Sequence, residues 1–203
     1  MHTPISFDPA HTAVLSMDLQ TAIVSIYVKE EGFLVRTASV LKRARQSAMC
    51  VIHVQVGFRP NLPEVSPRNT LLSAIKSSAR HRQVFEGAGG AIHSAVAPEG
   101  EDIVVTKHRV SAFAGTDLEM ILRAKDIDTL VLFGISTSGV VLSTLLHASD
   151  ADYRLVVIQD CCTDLDAEVH RCLVEKIFPR QASILSASEF LEISRTTRAS
   201  SEA

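Results

Sequence analysis

Three short stretches of the sequence carry side chains that could do chemistry. The first, Met17-Asp18-Leu19-Gln20, ends an apolar run in a carboxylate. Such a group can serve as a general acid or base, although a terminal aspartate also commonly caps a helix or closes a turn. The second, Val104-Val105-Thr106-Lys107-His108-Arg109, runs from a strand pattern into three basic residues. A single lysine there is ordinarily a solvated strand end. If Lys107 and Asp18 end neighbouring strands, their charges meet in one pocket and the ammonium lowers the carboxylate's pKa. The third, Gly134-Ile135-Ser136-Thr137-Ser138-Gly139-Val140-Val141, turns from an apolar strand through small residues into a helix. A loop of this kind presents backbone N–H groups to an anion or a developing oxyanion, and it reads equally well as a plain tight connection.

The elements that must position these groups follow from periodicity. Short apolar runs alternate with longer amphipathic stretches, the pattern of a parallel sheet covered on both faces. Strands are expected at Ala13–Asp18, Cys50–Val56, Asp102–Lys107, Thr129–Gly134, Leu155–Asp160 and Ser183–Leu185, and helices at Leu34–Ala48, Asp117–Lys125, Ser138–Ala148 and Glu168–Ile177. Thr116, three residues before Glu119, has the spacing of a capping box. Right-handed crossovers then give a three-layer α/β/α doubly wound domain with a six-stranded, mainly parallel sheet. Its ligands bind beyond the carboxyl ends of the strands. Pro60, Pro63 and Pro67 make Phe58–Arg68 a loop after the second strand, able to wall a pocket.

Bulk properties narrow the classes of function. The chain has 203 residues, 46% of them hydrophobic, enough for one well-buried domain over 1–193. The polar stretch Ser194–Ala203 is expected to be a disordered tail. Twenty Lys plus Arg against 23 Asp plus Glu are spread along the chain, which argues against nucleic acid as a partner. No signal-like start and no run approaching ~20 apolar residues is present, so a soluble, cytoplasmic protein is expected, without a membrane partner. The cysteines, at 50, 161, 162 and 172, have neither Cys-x-x-Cys nor zinc spacing. No glycine pattern after any strand fits a dinucleotide or P-loop site, which weakens an oxidoreductase reading.

Taken in order, the Asp-x-Gln at 18–20, Lys107 with Ser111-Ala112-Phe113 and Thr116-Asp117-Leu118, the Gly-x-x-Thr loop at 134–137 and Asp160 ending the next strand resemble the isochorismatase-like hydrolases. The resemblance runs from about residue 13 to 190. It implies that Asp18 and Lys107 are two members of a catalytic set, and that Val140 stands where most of the family has a nucleophilic cysteine. It also implies a cis peptide at Ile135–Ser136 that directs the N–H groups of Ser136 and Val140 into one oxyanion site. The nicotinamidase-like members carry a metal-binding Asp-x-His after the second strand. Here that place reads Gln55-Val56-Gly57, so neither a metal nor another cofactor is expected. His53 and His147 are assigned to packing or surface hydrogen bonds.

The expected pocket is lined by Gln20, Phe58, Arg59, Arg109 and Phe113, with Arg59 and Arg109 as candidates to hold an anionic substrate. Two functions follow. One is hydrolysis of a small polar or carboxylated metabolite by water, with Asp18 as general acid/base. The other is a catalytically silent protein that binds a small molecule or acts as a scaffold, since losing a required nucleophile costs on the order of 10⁶-fold. The resemblance further implies self-association into a homodimer or higher oligomer.

Overall fold

The computed structural model describes residues 5–193; the expected tail lies outside the described residues. Six strands, β1 (Thr12–Met17), β2 (Cys50–Val56), β3 (Ile103–Lys107), β4 (Thr129–Ile135), β5 (Arg154–Thr163) and β6 (Ser183–Leu185), form one sheet in the order β3-β2-β1-β4-β5-β6. All five pairings are parallel. The central strands β1 and β4 are buried almost throughout, as helices on both faces of a parallel sheet require.

The helices are α1 (Thr21–Tyr27), α2 (Phe33–Gln46), α3 (Thr70–Ser77), α4 (Ala79–Gln83), α5 (Gly87–Gly90), α6 (Leu118–Ala124), α7 (Leu142–Asp150) and α8 (Ala167–Cys172). In α2 the buried residues Phe33, Thr37, Val40, Leu41 and Ala44 recur at helical spacing and form one apolar face. None of the described helices is long and apolar enough to cross a membrane.

Several expected boundaries move. β5 continues past Asp160 to Thr163, because beyond an irregularity at Leu132/Gly134 its residues Cys162 and Thr163 pair with Gly134 and Ile135. The helix expected at Ser138–Ala148 is a π turn, Thr137–Val141, followed by α7, and that expected at Glu168–Ile177 is α8 followed by the π turn Leu173–Ile177. Thr116 makes no capping box: Asp117 occupies the N-cap, while Thr116 Oγ1 accepts from the Leu118 N–H and donates to the Ala112 carbonyl. Glu119 instead pairs with Arg123 one turn on. Helices α1, α3, α4 and α5 are additional to those expected.

This strand order has one reversal that matters for function. Crossovers from β1 lead outward through β2 to β3, and those from β4 lead the other way through β5 to β6. The carboxyl ends of β1 and β4 therefore flank the crevice where doubly wound sheets hold their ligands.

Candidate active site

Asp18 is the first residue beyond β1, at a φ of 56°, a left-handed conformation that aspartate tolerates better than most side chains. Its N–H donates to the Val54 carbonyl at 2.8 Å, fixing the turn against β2. Lys107 ends β3, and β2 lies between them, so the two residues do not end neighbouring strands. Two inter-strand steps, about 10 Å, are bridged by the lysine stem, the aspartate side chain and the contact between them. Lys107 Nζ reaches Asp18 Oδ2 at 2.9 Å and also donates to the Arg109 carbonyl at 3.1 Å. Both side chains are buried, and Asp18 Oδ1 has no hydrogen-bond partner among the described residues.

The electrostatics differ from the sequence expectation. Burial pushes the Asp18 carboxyl above its ordinary range and outweighs the opposing pull of the Lys107 ammonium. A sealed ion pair with one unpartnered oxygen is a poor stability device, since desolvation offsets the Coulomb gain. Its place at the sheet's switch point is what suggests a functional role.

The loop after β4 closes the other side. Gly134 pairs with Met17, and its φ of 145° together with a site for Cβ only 2.1 Å from the Met17 carbonyl oxygen excludes any side chain. The Ile135–Ser136 peptide is cis. The Ser136 carbonyl accepts from the N–H groups of Gly139 and Val141, each at 3.2 Å, whereas the Val140 N–H between them has no backbone acceptor outside its own turn. Three residues unmarked in the sequence brace this loop. Asp164 accepts from the Ser138 N–H at 2.7 Å, His170 Nδ1 meets Thr137 Oγ1 at 2.8 Å, and Tyr27 interacts with the Ser136 side chain. They are distant in sequence and follow no motif, so only the fold reveals them.

Asp18, Lys107, Ser136 and Val140 line one pocket of about 420 Å³, together with Arg109, Ile135 and residues of α1, α3 and the 81–85 segment. Other residues expected there sit elsewhere. Gln20 is a buried clamp: its Nε2 donates to the Val56 and Gly90 carbonyls and its Oε1 accepts from the Val56 N–H, and it does not line the pocket. Phe113 stacks on His147 at 4.6 Å, away from the pocket. Phe58 packs edge-on against Phe85 and, with Arg59, lines a neighbouring groove of about 240 Å³. Arg59 is largely exposed and pairs with Glu64. Arg109 does line the pocket, but its two terminal nitrogens donate to the His108 and Glu64 carbonyls.

No cysteine lines this pocket. Cys161 and Cys162 are buried in β5, where desolvation holds the first thiol far above its ordinary range and pushes the second up to about 12. Cys50 is half-buried at the start of β2, and Cys172 is exposed on α8. Gln55 bonds to Thr106 across the sheet, and among the described residues no group of three His, Cys, Asp or Glu is placed to hold a metal ion. His53 is buried against Asp102, which also binds Arg45.

Comparison with known proteins agrees with this architecture. The family model described as the isochorismatase domain matches residues 12–189. The uncharacterized isochorismatase family protein YecD of Escherichia coli O157:H7 is 32% identical over 185 residues, covering 89% of this chain and 94% of that protein. The ureidoacrylate amidohydrolase RutB of Methylobacterium radiotolerans is 31% identical, covering 86% and 76%. Among solved structures, a cysteine hydrolase from Pseudomonas syringae pv. phaseolicola superposes with a TM-score of 0.84 at 22% identity, over 97% of this chain and 100% of that one. The fold, the match along nearly the whole sheet and the identity to these relatives place the chain in the isochorismatase family.

Proposed function

We propose that this protein hydrolyses a small metabolite whose polar or carboxylated reacting end meets Asp18 and Lys107, with water in place of a cysteine thiol as the attacking group. The observation that carries the reading is the unpartnered Asp18 Oδ1 in a pocket that Val140 lines and that all four thiols avoid. The amidohydrolases among the relatives support an amide-like bond as the target. The Asp18 carboxylate takes a proton from water as its oxygen attacks the substrate carbon, then returns that proton to the departing nitrogen or oxygen. Its raised pKa suits this exchange. Lys107 holds the carboxylate in place, and the Val140 N–H, which has no backbone acceptor outside its own turn, is the donor assigned to the developing negative charge.

A second reading is a silent ligand-binding or scaffold protein, and the valine at position 140 favours it. Val140 supplies a buried apolar surface where the family resemblance calls for a nucleophile.

Turnover of a panel of small amides, ureido compounds and enol ethers decides between them. Hydrolysis that survives iodoacetamide treatment and falls about 10²–10⁴-fold in Asp18→Asn is the expected result. Loss of turnover on alkylation of folded protein refutes the water route. Binding without turnover anywhere in the panel supports the silent reading.

A further inference from the structure

Away from the strand ends the pocket is lined mostly by apolar side chains. Asp18, Lys107 and Ser136 lie where the strands end, while the wall contributed by residues 71–85 is built from Leu71, Leu72, Ala74, Ile75, Val84 and Phe85, with His81 as its only titratable member. Helix α1 adds Ile23, Ile26 and Tyr27. Leu71 and Ile26 remain 58% and 41% exposed. Leaving such side chains wet at the rim of a concavity costs free energy that an apolar ligand would recover.

The wall is held in place. Leu72 packs with Leu62 and Val65 in a small hydrophobic cluster behind it, against which Ile75 and Phe58 also rest. Asn69 caps α3 through the Leu72 N–H, and Lys76 Nζ donates to the Leu62 carbonyl. At the far end Gln20 grips the Gly90 carbonyl, and the Thr21 and His93 N–H groups bond to the Ala91 and Leu19 carbonyls. The chain from 69 to 93 is thereby fastened beside the end of β1.

Cations do not offset this apolar character. Lys107 is paired with Asp18, and the terminal nitrogens of Arg109 are bound to carbonyls. The described residues of the wall add no lysine or arginine, so a second anionic group lying against Leu72 and Ile75 would be desolvated without a wall cation to pair with.

We infer that the substrate is amphipathic, joining the reacting polar group at Asp18 and Lys107 to an aliphatic or aromatic body that lies against Leu72, Ile75, Val84 and Phe85. The inference rests on the reading of Asp18 and Lys107 as the reacting end, and it narrows the substrate class to amides or related derivatives of apolar acids or amines. A volume of about 420 Å³ lies within the ~300–1,000 Å³ range of small-molecule sites.

The test measures binding separately from turnover. Calorimetric titration with acetamide, butyramide, hexanamide, benzamide and, as a carboxylated counterpart, succinamate should show affinity rising roughly fourfold per added methylene, with succinamate weaker than butyramide. Ile75→Asn should weaken hexanamide at least about tenfold while changing acetamide less than about twofold. Affinity independent of chain length, or succinamate binding more tightly than butyramide, overturns the inference; so does a second copy of the chain filling the wall, which gives the same flat series. Length-dependent binding without any turnover sustains the apolar wall and sinks the hydrolase reading. Turnover with no dependence on chain length does the reverse.

Discussion

A Cβ on Gly134 would lie 2.1 Å from the carbonyl oxygen of Met17. Through that contact the loop after β4 is seated directly beside the residue preceding Asp18, so backbone packing sets the distance between the acid and the oxyanion loop. Gly134→Ala should cost about 3 kcal/mol or more, from the strained φ combined with the overlap. Urea unfolding measures it, and a loss under about 1 kcal/mol would mean that β1 and β4 can separate there.

The Asp18–Lys107 pair predicts a marked non-additivity. Lys107→Met alone leaves a carboxylate buried without its cation and should cost about 3–5 kcal/mol. Asp18→Asn with Lys107→Met removes both charges, and Asn tolerates the left-handed φ, so the double variant should regain most of that loss. A double-mutant cycle by chemical denaturation gives the coupling, and simple additivity would contradict a buried ion pair.

Two aspartates bend the pH dependence of stability in opposite senses. Because burial raises Asp18 above 3.8, against Lys107, the folded protein holds this proton more tightly than the unfolded chain does. Its contribution is complete below pH 3.8 and is lost as pH rises through the folded pKa. At Asp102 burial also acts upward, but hydrogen bonds from Arg45, the Glu99 N–H and His53 together outweigh it and bring the pKa below 3.8. That contribution is present above pH 3.8 and is lost as pH falls through the folded value. Asp102→Asn should therefore shrink the difference in urea midpoint between about pH 6 and about pH 3, relative to the unaltered protein. An unchanged difference would remove Asp102 from the acid limb.

Alkylation should sort the thiols by burial. Exposed Cys172 reacts first with iodoacetamide, while Cys161 and Cys162 label only on unfolding, being buried and held protonated. Peptide mass spectrometry of briefly treated protein reads the order, and early labelling at Cys161 would place it outside the core.

Val140→Cys tests the loop. Although Val140 is buried, a thiol introduced there, in the π turn Thr137–Val141 and lining the pocket with Lys107 and Asp18, should be activated by these neighbours and label faster than Cys50, whose thiol burial holds above its ordinary range. Labelling no faster than Cys50 would show that this side of the pocket is closed to small electrophiles, and weak esterase turnover in the variant would show that the donors are still in place.

Alternating apolar and amphipathic stretches were enough to locate all six strands and the main crossover helices. Parallel pairing buries both faces of each central strand, and that requirement is written in composition and period. Asp18 and Lys107 were legible because each stands at a strand end, and strand ends converge on one edge whatever the intervening loops do, whereas Val140 was marked only by the family resemblance. The tertiary structure alone decided the rest. Gln20 became a clamp because the 69–93 segment returns to the end of β1, and Phe113 left the pocket for His147. The apolar wall arises from α3 and the 81–85 segment, which only the tertiary structure brings beside Asp18. The direction of the Asp18 pKa depended on the depth of its burial beside Lys107. Burial is a property of what the whole chain packs around a residue, and neighbouring letters do not carry it.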